Sequence, residues 1–271
     1  MAKVCFVLGA GGARGVAHIG FLKAMDEHGI KPDFISGCSM GSIVGACYSK
    51  GITPDEMMKI VNSMKMSDLA DASLFPFNKT SIMSSNKLRK KLEQVVGETT
   101  FDELSIPFEC IGADIITGKV EILRTGSVAE AIRASSAIPA IFRPVEIGDK
   151  LLVDGGVFMP LPLICVKDFN ADVIIVVDVL GPLPPFDRKK GLLPHVLRTV
   201  DANSYFLRTR QLKAYKHDLL ICPKLKDMSQ FKVENMQFAF DEGYKAGIEN
   251  VEKIKEIIKR KSEQTIRSSN R

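Results

Sequence analysis

The sequence predicts an α/β fold with a mostly parallel central sheet flanked by helices. Three observations predict it. Continuous apolar runs of strand length, VCFVL at Val4–Leu8 and VIIVVDV at Val173–Val179, read as strands buried on both faces. Segments of helical period alternate with such strands along the chain. Glycine-rich turns join strand to helix twice, at Gly9–Gly15 and at Gly37–Gly41.

Val4–Leu8 is the first strand, bounded by glycines. Val16, Ile19, Leu22 and Met25 recur at helical spacing, so Val16–Glu27 is a helix, stopped by Gly29. Asp33–Ser36 is a second strand. Ser39–Lys50 is a second helix, stopped at Gly51. Thr53 as N-cap and Pro54 at the first helical position open a third. Residues 64–84 are irregular and rich in Ser, Met and Phe, and Lys87–Val96 is a helix. Phe108–Ile115 and Lys119–Leu123 are strands joined at Thr117-Gly118, a hairpin signal. Ser127–Ser136 is a helix ended by Pro139. The strand Lys150–Val153 runs into Asp154-Gly155-Gly156. After Val173–Val179 come a Pro- and charge-rich loop at 180–191, a long helix at Leu192–Lys216 and a last strand at Leu219–Cys222. A final helix runs from Asn235 to about Lys261. Residues 1–262 read as one domain, and residues 263–271 as a polar, frayed tail.

A chain of 271 residues that is 45% hydrophobic and 25% charged can bury a sizeable core. The net charge of +5 permits affinity for an anionic surface without demanding it, and falls short of what nucleic acid binding requires. Six cysteines without a C-x-x-C pair fit buried free thiols in a reducing compartment. Zinc-ligand spacing is missing, so neither a metal nor a cofactor is expected. The first residues do not read as a signal peptide, and no run of about 18 apolar residues exists. The expected location is cytoplasmic, with any membrane contact peripheral.

Gly37-Cys38-Ser39-Met40-Gly41 matches G-x-S-x-G between a strand and a helix, the context this nucleophile turn requires. Small residues two before and two after Ser39 let strand and helix approach, and the helix N-terminus favours negative charge at the serine. Alone, the motif also fits a serine N-cap on an ordinary turn. The upstream loop Gly9-Ala10-Gly11-Gly12-Ala13-Arg14-Gly15 allows two chemical readings besides a plain tight turn. As a dinucleotide fingerprint it fails, because arginine stands at position 14 where G-x-G-x-x-G wants glycine, and Asp33 opens its strand instead of ending it. As an oxyanion hole it succeeds: successive N–H groups at a helix N-terminus stabilise negative charge. Arg14 would add a positive charge or brace the loop.

A serine nucleophile needs a base. His18 lies in the first helix, His28 at its C-terminal end, and His195 and His217 flank the long late helix. None follows a C-terminal strand, where an α/β-hydrolase places its histidine. Asp154 is the better candidate. It ends a strand, so its carboxylate can project from the sheet edge where ligands bind in parallel sheets, while the glycines turn the chain away.

GGARG, GCSMG and DGG, standing in this order, resemble the motifs of the patatin-like phospholipases. The flanking LGAGGARGVAHIGFLKAM and SSAIPAIFRPV resemble bacterial members, and the similarity spans about Val4–Leu180. The resemblance implies a modified α/β-hydrolase fold and a Ser–Asp dyad without histidine, with Ser39 as nucleophile and Asp154 as base. It implies an oxyanion hole from the amides of Gly11 and Gly12 with Arg14 nearby. Gly9, Gly15, Gly37, Gly41, Gly155 and Gly156 then support the motifs. It implies hydrolysis of acyl esters, commonly phospholipids, without a metal. One departure is visible: the family's box reads D-G-G-G or G-G-G-G before x-R-G, and Ala10 interrupts it here. If Ala10 needs a positive φ, the turn is strained by roughly 1 kcal/mol.

The expected substrate is a lipid or another acyl ester. Leu69, Leu74, Phe75, Phe77 and Met83 suit a lid or a loop covering the core. Lys189, Lys190, Arg198, Arg208, Arg210, Lys213 and Lys216, and later Lys253, Lys255, Lys259, Arg260 and Lys261, suit solvated faces or attraction to anionic lipid. Rival readings are an esterase or thioesterase for small soluble acyl groups, a catalytically silent scaffold of the same fold, and a nucleotide-binding protein.

Overall fold

Alternate side chains of a strand point to opposite faces of its sheet. In β1 (Val4–Leu8), Val4, Phe6 and Leu8 enter one core and Cys5 and Val7 another. β7 (Val173–Val177) divides the same way, with Val173, Ile175 and Val177 on the first face and Ile174 and Val176 on the second. Both strands are buried throughout, as their unbroken apolar runs require.

The computed structural model describes residues 2–63, 85–183, 185–186, 191–226, 228–230 and 235–269. Among these, eight strands form one sheet in the order β5-β6-β3-β2-β1-β7-β8, with β4 also on β3. The others are β2 (Phe34–Gly37), β3 (Phe108–Asp114), β4 (Lys119–Leu123), β5 (Val145–Ile147), β6 (Lys150–Asp154) and β8 (Leu219–Ile221). β3, β2, β1, β7 and β8 are mutually parallel. β4, β5 and β6 add an antiparallel arm, so the sheet is more mixed than the alternation of elements predicts.

The first face is covered by α1 (Val16–Glu27), α2 (Met40–Ser49), α3 (Pro54–Ser63), α4 (Ser85–Val96), α5 (Val128–Ser135) and α8 (Met236–Ser269). The second is covered by residues 159–169, which include α6 (Val166–Phe169), and by Leu212 of α7 (Leu192–Ala214). α1 and α8 cross at van der Waals contact of their backbones: a Cβ on Gly20 would overlap Phe240 O, and one on Gly243 would overlap Ala17 O.

Three expectations change. β5 and α6 carry no period long enough to be read from sequence. The strand expected to reach Val179 ends at Val177. α8 continues through Ser269 where the sequence predicts a polar tail. Its lower turns are tied to the body, since Ser262 Oγ accepts from Ala2 N–H at 2.9 Å and Lys261 pairs with Asp218 at 2.9 Å. The segment suited to a lid, with Leu69, Leu74, Phe75, Phe77 and Met83, lies outside the described residues, as do Lys189 and Lys190. All six cysteines are free; five are buried and Cys222 is exposed. Among the described residues no helix is long and apolar enough to cross a membrane.

Candidate active site

Two strand ends build the site. Gly37, the last residue of β2, faces Cys110 of β3, and Cys110 faces Leu123 of β4 on its other side. Asp154, the last residue of β6, faces Gly112 of β3, and Gly112 faces Glu121 of β4 on its other side. β2 and β6 therefore lie end to end along one edge of β3, pointing at each other. Asp154 meets the carboxyl end of β2, where Ser39 sits, but on an antiparallel strand that arrives from the opposite direction.

Ser39 follows β2 and caps α2 with φ 54° and ψ −124°. That backbone is costly for a residue with a Cβ, roughly 1–3 kcal/mol, and such strain concentrates at reactive turns. The flanking glycines permit it. A Cβ at Gly37 would press on the backbone of Ser42, and one at Gly41 would overlap Leu8 O. Ser39 N–H donates to Ser135 Oγ at 3.1 Å, and Ser42 Oγ donates back to Ser39 O at 2.6 Å.

Ser39 Oγ donates to Asp154 Oδ2 at 2.6 Å. The other carboxylate oxygen, Oδ1, accepts from Gly156 N–H at 2.8 Å, which fixes the rotamer. Asp154 is 6% exposed and Ser39 4%. Burial lifts the Asp154 carboxyl from 3.8 to about 6, against the hydrogen bonds from Ser39 and Gly156, which lower it. A carboxylate so poised accepts a proton more readily than an exposed one.

None of the four histidines hydrogen-bonds to this pair. His18 is fully buried and bonds Gly9 O through Nε2 at 2.8 Å; burial depresses it to about 4, so it is neutral and donates there. It braces the glycine loop from below. His28, His195 and His217 bond the carbonyls of Ala24, Gly191 and Tyr215.

The glycine loop leaves β1 and becomes a 3-10 turn at Gly12–Gly15. Ala10 N–H goes to Pro160 O and Ala13 N–H to Gln230 O, both at 2.9 Å. Among the described residues the amides of Gly11 and Gly12 hydrogen-bond to nothing, so two adjacent donors remain for a ligand. Gly12 has φ 52°, and a Cβ there would overlap Gln230 O. Ala10 is not among the positive-φ residues, so its methyl group causes no strain and packs in the second core. Gly15 lies against Met40, and Gly9 packs on Leu161. Gly155 lies over Ile111 and Cys38, and Gly156 beside Ala10. The loop, the elbow and the Asp-Gly-Gly turn are thus in contact with one another.

Arg14 is buried. Its Nε donates to Met228 O at 2.6 Å and its Nη1 to Leu180 O. Of the two roles open to it from sequence, these contacts perform the bracing one. They pin the loop after β7 and the segment before α8 to the glycine turn. Asp33, which a dinucleotide site would need, is spent on Val4 N–H at 2.7 Å.

A cleft of about 1030 Å³ opens beside the glycine loop, lined by Arg14, Leu180, Phe186, Leu197, Asp201 and Gln230 among others. Neither Ser39 nor Asp154 lines it. Gln230 joins the cleft to the glycine loop, because its carbonyl packs on Gly12 and accepts from Ala13 N–H. α7 forms one wall and is tied to the Asp-Gly-Gly turn: Asn203 Nδ2 donates to Val157 O at 2.8 Å and Ser204 Oγ to Gly156 O at 3.1 Å. Ser135, Asn203, Ser204 and His18 all touch the site's backbone and were not legible as site residues. Their partners are backbone atoms, which leave no mark in a sequence. Among the described residues no group of three His, Cys, Asp or Glu side chains stands close enough to hold a metal ion.

A family model described as patatin-like phospholipase matches residues 6–164, a span holding both Ser39 and Asp154. An uncharacterized NTE family protein of Mycobacterium tuberculosis is 34% identical over 181 residues, which are 66% of this chain and 49% of that protein. Lysophospholipase NTE1 of Cryptococcus neoformans is 32% identical over 185 residues, 65% of this chain and 11% of that protein. The chain thus spans about half, or far less, of the curated relatives it matches. VipD from Legionella pneumophila shares the fold, with a TM-score of 0.62 at 13% identity over 93% of this chain and 67% of that one.

Proposed function

The chain belongs to the patatin-like phospholipase family, and from that premise we propose that it hydrolyses lipid acyl esters through a Ser39–Asp154 dyad. The observation that carries this is the 2.6 Å hydrogen bond from Ser39 Oγ to a buried carboxylate, while the four histidines hydrogen-bond to backbone carbonyls elsewhere. Asp154 takes the Ser39 proton as Oγ attacks the ester carbonyl. The oxyanion of the tetrahedral intermediate forms against the unpaired amides of Gly11 and Gly12. The intermediate collapses, the carbon–oxygen bond to the alcohol breaks, and Asp154 returns the proton to the departing oxygen. Water, deprotonated by Asp154, then attacks the acyl-serine; the bond from carbon to Ser39 Oγ breaks, Asp154 passes the proton to Oγ, and the fatty acid leaves.

A lipid is favoured over a small ester by the cleft of about 1030 Å³ beside the glycine loop, which offers Leu180, Phe186 and Leu197 to an acyl chain and Arg14 and Arg198 to a polar head. A relative bearing the name lysophospholipase agrees with this. Fluorophosphonate labelling of wild type and Ser39→Ala, with a short-chain ester and a lysophospholipid assayed in parallel, tests the reading. Labelling and lysophospholipid hydrolysis that both vanish with Ser39→Ala are expected. A folded wild type that neither labels nor hydrolyses would point to a silent scaffold, and hydrolysis of the short ester alone would point to an esterase.

A further inference from the structure

α7 is held by few buried side chains. Of its 23 residues only Ser204 and Gln211 are buried. Its outward side shows the opposite of what a solvated helix needs. Leu192 is 82% exposed, Phe206 56% and Val196 38%. At 100° per residue these three fall within an arc of about 80° and extend over about 21 Å. Arg210 lies on the same stripe with its guanidinium over the Phe206 ring, 5.4 Å from the centroid, and Lys213 and Lys216 follow, both exposed. Of the five basic residues between Leu192 and Lys216, Arg198 lines the cleft together with Asp201, the one acidic residue, and Arg208 pairs with Asp178 at 2.9 Å, which leaves Arg210, Lys213 and Lys216 exposed with no acidic residue among them.

We propose that this outward face of α7 docks the protein on an anionic phospholipid bilayer. Apolar side chains spaced along one exposed helix face, followed by long basic side chains, are the features of a helix lying in the membrane interface. Basic side chains at that depth add attraction to anionic headgroups. The opposite side of the same helix lines the cleft, and Ser204, between the two sides, holds Gly156 O; Asn203 falls on the stripe itself, beside Leu192 and Val196, and its side chain reaches back to Val157 O. α7 therefore stands between a docked bilayer and the cleft and carries contacts to both. The proposal rests on the lipid-hydrolase reading for its purpose, and on the exposed stripe and its charge for the occupant.

The test uses the full chain carrying Ser39→Ala, co-sedimented with vesicles of phosphatidylcholine alone or mixed with phosphatidylglycerol. Binding to the mixed vesicles, weakened by salt, is expected. Leu192→Glu combined with Phe206→Glu should lower partitioning at least about tenfold. Arg210→Gln and Lys213→Gln should each lower it about fivefold, and Thr199→Leu, which fills a polar gap within the stripe, should raise it. Ile116→Glu, on the other exposed apolar turn, should change nothing. Equal binding to both vesicles at any salt would overturn the proposal. So would indifference to both the Leu192/Phe206 and Thr199 changes, or a dimer in light scattering that Leu192→Glu splits while vesicles are ignored. Wild type assayed on a soluble short-chain ester separates the two readings. Vesicle binding without any hydrolysis sinks the hydrolase and leaves the docking face; hydrolysis without vesicle binding does the reverse.

Discussion

Ser39 Oγ and Asp154 Oδ2, 115 residues apart in the chain, lie 2.6 Å from each other, both side chains buried. If this contact is the proton path, Asp154→Asn should abolish turnover while keeping the fold, because an amide accepts hydrogen bonds but not a proton. A loss of about 10⁴-fold or more in kcat is expected from steady-state kinetics. The same variant should be more stable at neutral pH. The Asp154 pKa is raised on folding, from 3.8 to about 6, so the group favours the folded state below 3.8 and this contribution is lost as pH rises through 6. Asparagine removes that cost, on the order of 2–3 kcal/mol. A urea midpoint for Asp154→Asn below that of wild type at pH 7.5 would contradict the assignment.

The same shift sets the pH dependence of activity. The base must be ionised, so kcat/KM should rise about tenfold per pH unit below 6 and level off above it. A profile still climbing through pH 7 and 8 would mean that another group takes the proton.

The Ser39 backbone, at φ 54°, predicts a difference between two inactive variants. Ser39→Ala keeps the strained conformation and Ser39→Gly relieves it. Both leave Asp154 without the serine, so their comparison isolates the backbone. Ser39→Gly should be more stable than Ser39→Ala by about 1 kcal/mol in equilibrium denaturation.

Arg14 separates charge from geometry. If it acts by bracing Met228 O and Leu180 O, Arg14→Lys should lower kcat and destabilise the fold by about 1–3 kcal/mol, because one ammonium cannot hold two carbonyls in a fixed fork. A lysine variant of near wild-type rate and stability would show that only the charge matters.

Gly12→Ala should cost about 10²–10³ in rate, the value of one oxyanion donor, since its Cβ would overlap Gln230 O and displace the loop. Labelling by a fluorophosphonate should slow in parallel, and a variant labelling at the wild-type rate would place the oxyanion donors elsewhere.

Ser39 and Asp154 were legible in the sequence because their turns demand glycines at fixed offsets, and the strand and helix around Ser39 have clear periods. The parallel core was legible for the same reason. The antiparallel arm was not: which strand pairs with which is decided by contacts far apart in sequence, and three-residue β5 has no pattern to read. The cleft escaped notice because Arg14, Leu180, Asp201 and Gln230 converge from four separate segments. The role of Arg14 stayed undecided between charge and brace because its acceptors are carbonyls.

The end-to-end placement of β2 and β6 makes β3 the ruler of the site. Gly37 is opposite Cys110 and Asp154 opposite Gly112, so one residue, Ile111, spans the interval. The separation of the two reacting groups is counted on a strand that contributes neither. Loops leading into β2 and β6 can change length, because the change is absorbed before either strand engages β3. A residue inserted or deleted at Ile111 cannot be absorbed: it would shift one partner by about 3.3 Å and turn the following side chains to the opposite face. Tolerance to insertions and deletions should therefore be generous on both arms of the site and close to zero at the midpoint of a strand that carries no chemistry.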